Sequence, residues 1–437
     1  MYAINGIYNT PQLKMRVLFV SIYFPTERMF VNGPFKRMRI FIDAIKEVAS
    51  LDILFFVPPN IDVSPSSVSD FESDFSKQWN AEISLFMYPR FQHQGRVSIW
   101  RSRWQHYGAS VLSFFSQEIY GFTSGPQQVQ AFESLLDRKP DAIFVHRLAS
   151  MCPPLLTRKR LPKIFFDLDD IESIKFLRII RQKSSLHKKF LFFLQAPALW
   201  WGERQAIKMA YRTFVCSELD RRYLANRCNL RGIVTVPNAV PIPKLESTKP
   251  DCTLLFLGSY SYEPNVDAAE FLIGKVWSRI YGEMPSARLI IAGPWPNRIP
   301  SFDQNLPGVE FTGFVEDLDG LYNRSQVVCA PVFTGAGTRI KIIEAAVYGK
   351  PIVATRFGAE GIELLDGYEI LLRNSPESFA DACLKLLMDP ELCERLGSAA
   401  RSKSIQFYDQ NKITRLIQGY LNNDDYEVDS REFGSSK

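Results

Sequence analysis

Short apolar runs alternate along this chain with longer stretches in which apolar residues return every three to four positions. The short runs have strand length: Arg16 to Ser21, Asp52 to Val57, Ala142 to His146, Lys163 to Asp167 and Arg212 to Cys216 in the first half. In the second half they are Leu254 to Gly258, Arg288 to Ala292, Val309 to Thr312, Val327 to Ala330 and Pro351 to Ala354, with Asp267 to Ile280 and Ile340 to Tyr348 reading as helices between them. Two successive β-α-β series predict an α/β protein of two Rossmann-like, doubly wound parallel sheets. Pro237, Pro241, Pro243 and Pro250 interrupt any regular element between Pro237 and Asp251, which sets expected domains at 15–240 and 251–405. A terminal helix over 406–421 would have the first domain to pack back on, and the polar, acidic stretch 422–437 reads as a disordered tail.

Ligands of open parallel sheets gather at the carboxyl ends of the strands. Two such sheets facing each other make a cleft with one substrate on each side, a geometry suited to group transfer. Fold alone does not fix chemistry, so the site residues must carry that argument.

Composition narrows the classes. The 437 residues hold 46% hydrophobic side chains, enough for two buried cores. The net charge of +5 is small beside 52 basic and 47 acidic residues, so no nucleic-acid partner is expected. Seven cysteines lie without metal-ligand spacing, several inside apolar runs, as small buried hydrophobes in a reducing compartment do. No uninterrupted apolar run reaches the roughly 18 residues of a membrane span. The polar stretch Met1 to Lys14 reads as neither signal peptide nor anchor, with Met15 as an alternative start. A cytoplasmic location follows as the expectation, with a peripheral seat at the inner face of the cell membrane as its extension.

The most informative stretch runs from Ala330 to Thr355. A buried strand ends, a flexible loop holds Gly335, Ala336, Gly337 and Thr338, and a helix is expected to begin near Thr338. Amides at such a loop and helix start can receive a diphosphate. Arg339 and Lys341 add two positive charges, and both reach one phosphate only if Arg339 still belongs to the loop. Glu344, three residues after Lys341, lies near the same helix face, where its carboxylate can accept from a ribose diol.

Read with Phe256-Leu-Gly258, Leu289 to Pro294, Val309 to Asp317 and Thr355 to Gly361, this stretch resembles the donor-binding domain of the retaining GT-B glycosyltransferases of family four. The resemblance spans roughly 250–405. It implies a GT-B fold, a nucleotide diphosphate sugar bound as substrate, and a pocket whose back is closed by Gly358, Ala359, Glu360 and Gly361. Two features depart from the commonest pattern. The position eight residues before Glu344, usually Glu, is Ala336, and the Arg and Lys usual after the first strand of the domain are missing beyond Gly258. This looks like the subgroup in which loop amides replace the first Glu and the Arg339 and Lys341 pair replaces the basic groups.

In the first domain, Phe24-Pro25, Gly33-Pro34 and Lys36-Arg37 resemble the loop that reaches over the donor phosphates in this architecture. His146 follows a strand and should stand at the cleft edge. Asp167, Asp169, Asp170 and Glu172 crowd just past another strand and must be solvated, paired with cations or functional. Asp167 or Asp169 would orient the acceptor hydroxyl, Asp170 would cap a helix, and no metal is expected. The segment 174–204, with Lys188, Lys189, Trp200 and Trp201, suits either a helix on an anionic bilayer or a core helix with snorkelling lysines. Trp100 to Trp104 and Phe114-Phe115 repeat this character more weakly.

The expected activity is sugar transfer from a nucleotide diphosphate donor to a saccharide or lipid-linked saccharide, with retention implied by the resemblance. No cofactor is expected. The rivals are a nucleotide-sugar epimerase or phosphorylase of the same fold, and a non-catalytic scaffold of a polysaccharide assembly complex.

Overall fold

The computed structural model describes residues 15–25, 33–90, 125–181, 186–245, 251–335 and 337–423. The expectations for Met1 to Lys14, for Trp100 to Trp104, for Phe114-Phe115 and for the tail beyond 423 fall outside these residues.

The first domain runs β1 (Met15–Ser21), α1 (Gly33–Val48), β2 (Ala49–Val57), α2 (Pro65–Trp79), β3 (Ile83–Pro89), α3 (Pro126–Leu136), β4 (Ala142–His146) and α4 (Cys152–Leu156). It continues with β5 (Lys163–Asp169), α5 (Glu172–Arg181), α6 (Leu186–Met209), β6 (Arg212–Val215), α7 (Glu218–Arg222) and β7 (Ile233–Thr235). The second domain holds β8 (Thr253–Leu257), α8 (Glu263–Phe271), α9 (Ser278–Glu283), β9 (Arg288–Ala292), β10 (Val309–Gly313), α10 (Leu318–Arg324) and β11 (Val327–Ala330). Then follow α11 (Ile340–Val347), β12 (Ile352–Ala354), β13 (Leu371–Leu372), α12 (Pro376–Met388), α13 (Pro390–Tyr408) and α14 (Gln410–Asn422).

Among the described residues the strands form two parallel sheets, ordered β3-β2-β1-β4-β5-β6-β7 and β10-β9-β8-β11-β12-β13. In each, the order reverses between the first and fourth strands, so the loops after β1 and β4, and after β8 and β11, diverge and leave a crevice. The central strands are apolar on both faces because helices cover both. Phe19, Phe144 and Phe214 pack under α1, while Val20, Val145 and Phe166 pack on the other side.

The chain crosses between domains twice at one place. Val240 donates to the Tyr408 carbonyl at 3.0 Å, and Gln410 donates to the Val240 carbonyl at 3.1 Å. Beyond this crossing α14 runs to Asn422, and its Ile413, Leu416, Ile417 and Tyr420 join the first domain's core with Phe41 and Ile45 of α1.

Candidate active site

The glycine loop leaves β11 at the switch point of the second sheet. Gly335 (φ 108°) and Gly337 (φ 75°) adopt left-handed backbone that other residues rarely take. The helix starts at Ile340, two residues later than the sequence suggests, because Arg339 is extended (φ −83°, ψ 92°). Arg339 therefore belongs to the loop. Its guanidinium donates to the carbonyls of Gly337 and, at 3.3 Å, Thr334, and lies over the Phe357 ring. Burial lowers its pKa.

Lys341 points the other way. Its Nζ donates to Asn265 Oδ1 at 2.8 Å and stands 4.5 Å from the centre of the Phe256 ring. Asn265 in turn donates to the Ser259 carbonyl at 2.9 Å and packs against Gly258. A partly buried lysine thus occupies the floor of the loop where the usual basic pair is missing. Burial, helped by Arg339, pulls its pKa down to about 7, although Glu344 opposes the shift.

Glu344 faces the first domain, where it accepts from Lys36 of α1. Burial and the Glu344 charge hold the neighbouring Tyr322 phenol well above its usual range. Three further contacts bridge the cleft. Asn238 donates to Thr338 Oγ1 at 2.5 Å, Arg178 forks onto Glu360 at 2.8 and 2.9 Å, and Gly361 packs against Ser217. Gly33 opens α1 beside Ile340. Gly358 donates to Thr355 Oγ1 at 2.9 Å and, with the buried Ala359, forms the wall behind the loop. Ala336 lies outside the described residues.

The first domain's carboxylates are largely paired with cations. Arg37, 1% exposed, donates to both oxygens of Asp167 at 2.7 to 3.1 Å, and His146 Nδ1 lies 3.0 Å from Asp167 Oδ2. Neither Asp167 nor His146 has exposed surface, and both oxygens of Asp167 are engaged within the protein. The His146 Nε2 has no partner. Arg37 also donates to Asn238 Oδ1 at 3.3 Å, so a chain of polar contacts links Thr338 of the glycine loop to His146.

Asp169 accepts from Arg147 and lies 3.3 Å from Arg37. Burial would raise its pKa, but these two guanidiniums win and lower it. Both Arg147 (φ 68°) and Asp169 (φ 58°) hold backbone that costs about 1–3 kcal/mol in a non-glycine residue, a strain typical of functional sites. Asp170 differs. Burial and the adjacent Asp169 raise its pKa to about 7, and its Oδ1 has no partner. It does not cap α5, for the Ser173 N–H goes to Glu203 Oε1 at 3.0 Å.

Asp169, Asp170 and Cys216 offer ligand atoms within 4.8 Å of one another. The set fits a metal poorly. Arg37 and Arg147 already supply the cationic charge at Asp169, and burial pushes the Cys216 thiol up, keeping it protonated.

Sequence reasoning picked out the loop, Lys341 and Glu344. It missed Lys36 as the partner of Glu344, Asn238 and Arg178 as bridges, and the position of Asp170. Lys36 was visible beside Arg37; the others carried no local signal.

Two parallel-sheet domains closing on a glycine loop at the second switch point define a GT-B protein. Residues 251–389 match the family described as glycosyl transferases group 1. The chain is similar to an uncharacterized 44.6 kDa protein in the cps region of Klebsiella pneumoniae, 20% identical over 263 residues. That match covers 56% of this chain and 65% of the relative, just under two thirds of its length. A D-inositol 3-phosphate glycosyltransferase of Corynebacterium jeikeium (strain K411) is 32% identical over 107 residues, 24% of this chain and 25% of that one. Among solved structures, Anabaena HepE in complex with UDP and glucose superposes with a TM-score of 0.61 at 15% identity, covering 94% of this chain and all of the other.

Proposed function

We propose that this protein transfers a sugar, with retention, from a nucleotide diphosphate donor to a saccharide or lipid-linked saccharide acceptor. The observation that carries the reading is the placement of Lys341 and Glu344 on one helix face beneath the glycine loop, at the crevice of the second sheet. In this reading the amides of Gly335 to Thr338 and Lys341 stabilise charge growing on the departing diphosphate, and Arg339 holds the loop in shape for it. Glu344 takes the donor ribose. His146, expected at the cleft edge, is instead fully buried with Nδ1 on Asp167, so it takes a positioning role behind the cleft and not contact with the sugar. The donor is a substrate and no resident cofactor or metal takes part.

HepE, similar in fold to this chain, was solved in complex with UDP and glucose, which supports a nucleotide-sugar donor. Release of nucleoside diphosphate only when acceptor is present tests the transferase against an epimerase, and product anomeric configuration by NMR tests retention.

A lipid-linked acceptor suits a second face. No described helix is long and apolar enough to cross a membrane. Along α5 and α6, however, Leu177, Phe193, Trp200 and Trp201 are exposed. In this reading they rest on an anionic bilayer at the cytoplasmic face, aided by Lys188 and Lys189, whose side chains lie outside the described residues.

A further inference from the structure

Of the four acidic residues at the end of β5 and just past it, three have close cationic partners: Asp167 and Asp169 as described, and Glu172 with Lys175 at 3.2 Å. Asp170 is the least closely paired of the four. It is only 9% exposed, its Oδ1 has no hydrogen-bond partner, and its other oxygen stays 3.8 Å from Arg147. A buried carboxyl oxygen left in this state destabilises a fold and calls for an explanation.

Its position supplies one. Asp170 lines a small cavity of about 30 Å³ between the domains, room for a hydroxyl or a water, together with Lys175, Ser217, Thr338 and Gly361. Its Oδ1 stands where a side chain at position 337 would begin, 2.4 Å from the place of a Cβ on Gly337. The carboxyl therefore reaches the glycine loop from across the cleft, and the loop has none of its own, since position 336 is Ala.

We propose that Asp170 is the carboxyl by which the first domain holds a hydroxyl of the sugar being transferred. The proposal rests on the reading of the loop as the diphosphate site: the sugar is bonded directly to that diphosphate and must lie beside the loop. The left-handed turn at Asp169 aims the next side chain toward Gly337. A carboxyl whose pKa burial and Asp169 have raised to about 7 can both donate to and accept from a sugar hydroxyl at neutral pH.

The test is Asp170→Ala, titrated by calorimetry with UDP, GDP, ADP and dTDP and with their glucose conjugates, beside a thermal melt without ligand. The expected result is a melting temperature equal to or above wild type, since no hydrogen bond to Oδ1 is lost. Affinity for the sugar conjugate falls about tenfold or more, while the parent diphosphate stays within about twofold. Equal affinities of variant and wild type for both ligands, or equal losses for both, would overturn the role of Asp170 and leave the transferase reading standing. A collapsed fold would assign Asp170 to architecture and overturn it as well. A wild type that binds no member of the panel would remove both.

Discussion

Lys36, in the first turn of α1, ion-pairs across the cleft with Glu344, the carboxylate assigned to the donor ribose. The carboxylate proposed for the donor ribose is thus paired with a cation of the protein's own. The pair is partly exposed, 25% and 14%, and pairs of this kind contribute about 0–1 kcal/mol. Lys36→Ala should therefore leave the fold intact and raise the affinity for a nucleoside by up to about fivefold. Glu344→Ala should weaken nucleoside and nucleoside diphosphate alike, by about 1.5–3 kcal/mol. Calorimetry on both variants checks this, and a Lys36→Ala variant with lower nucleoside affinity would contradict the competition.

Lys341 should confer pH dependence on diphosphate binding. With its pKa drawn down to about 7, the free protein loses the ammonium as pH rises through neutrality. The anion favours the charged form, so binding above pH 7 must take up a proton, and affinity should fall by up to about tenfold per pH unit. Stability without ligand changes in the opposite sense. The unfolded chain holds more protons than the folded one between about pH 7 and the ordinary lysine value, so this group's contribution rises with pH across that window. Lys341→Ala should abolish the fall in affinity and lose diphosphate binding far more than nucleoside binding. A pH-independent wild type would remove Lys341 from the phosphate site.

Arg37 is the cation that makes the first domain's interior tenable. Burial would lower its pKa, but Asp167 and Asp169 hold it raised. Arg37→Met leaves the unexposed Asp167 without a guanidinium and with only the His146 ring beside it, a loss expected to destabilise the fold by about 3–5 kcal/mol. Urea unfolding measures it. A loss below about 1 kcal/mol would show that the remaining contacts of Asp167 suffice.

The membrane face is tested apart from catalysis. Lys188→Glu with Lys189→Glu should reduce co-sedimentation with vesicles of anionic phospholipid while leaving nucleoside diphosphate affinity unchanged. A wild type that never sediments with such vesicles, even at low salt, would end that reading.

The long strands were legible because both faces are covered and their sequences are continuously apolar. β3, β7 and β13 were not: β7 has three residues and β13 two, too short for a periodic signal, and β3 lies at a sheet edge with a mixed pattern. The helix after the glycine loop was legible, but its first residue was not, since the extended backbone of Arg339 delays it. The glycine loop, Lys341 and Glu344 sit within one short segment and show themselves by spacing. Lys36 lies 308 positions from Glu344 and Arg178 lies 182 from Glu360, so those pairings exist only once both sheets have formed and met. Crowded carboxylates after β5 announced a demand for cations. Which of them was left least closely paired depended on Arg37 and Arg147 arriving from other elements.

The central claim is that the second domain holds a nucleotide diphosphate through the loop from Gly335 to Glu344. Calorimetric titration of the wild type with UDP, GDP, ADP and dTDP, repeated on Glu344→Ala, tests it most directly. The account predicts that at least one of these binds saturably and that Glu344→Ala weakens it by about ten- to a hundredfold. Saturable binding that is the same in the folded Glu344→Ala variant, or no binding by the wild type, would contradict it.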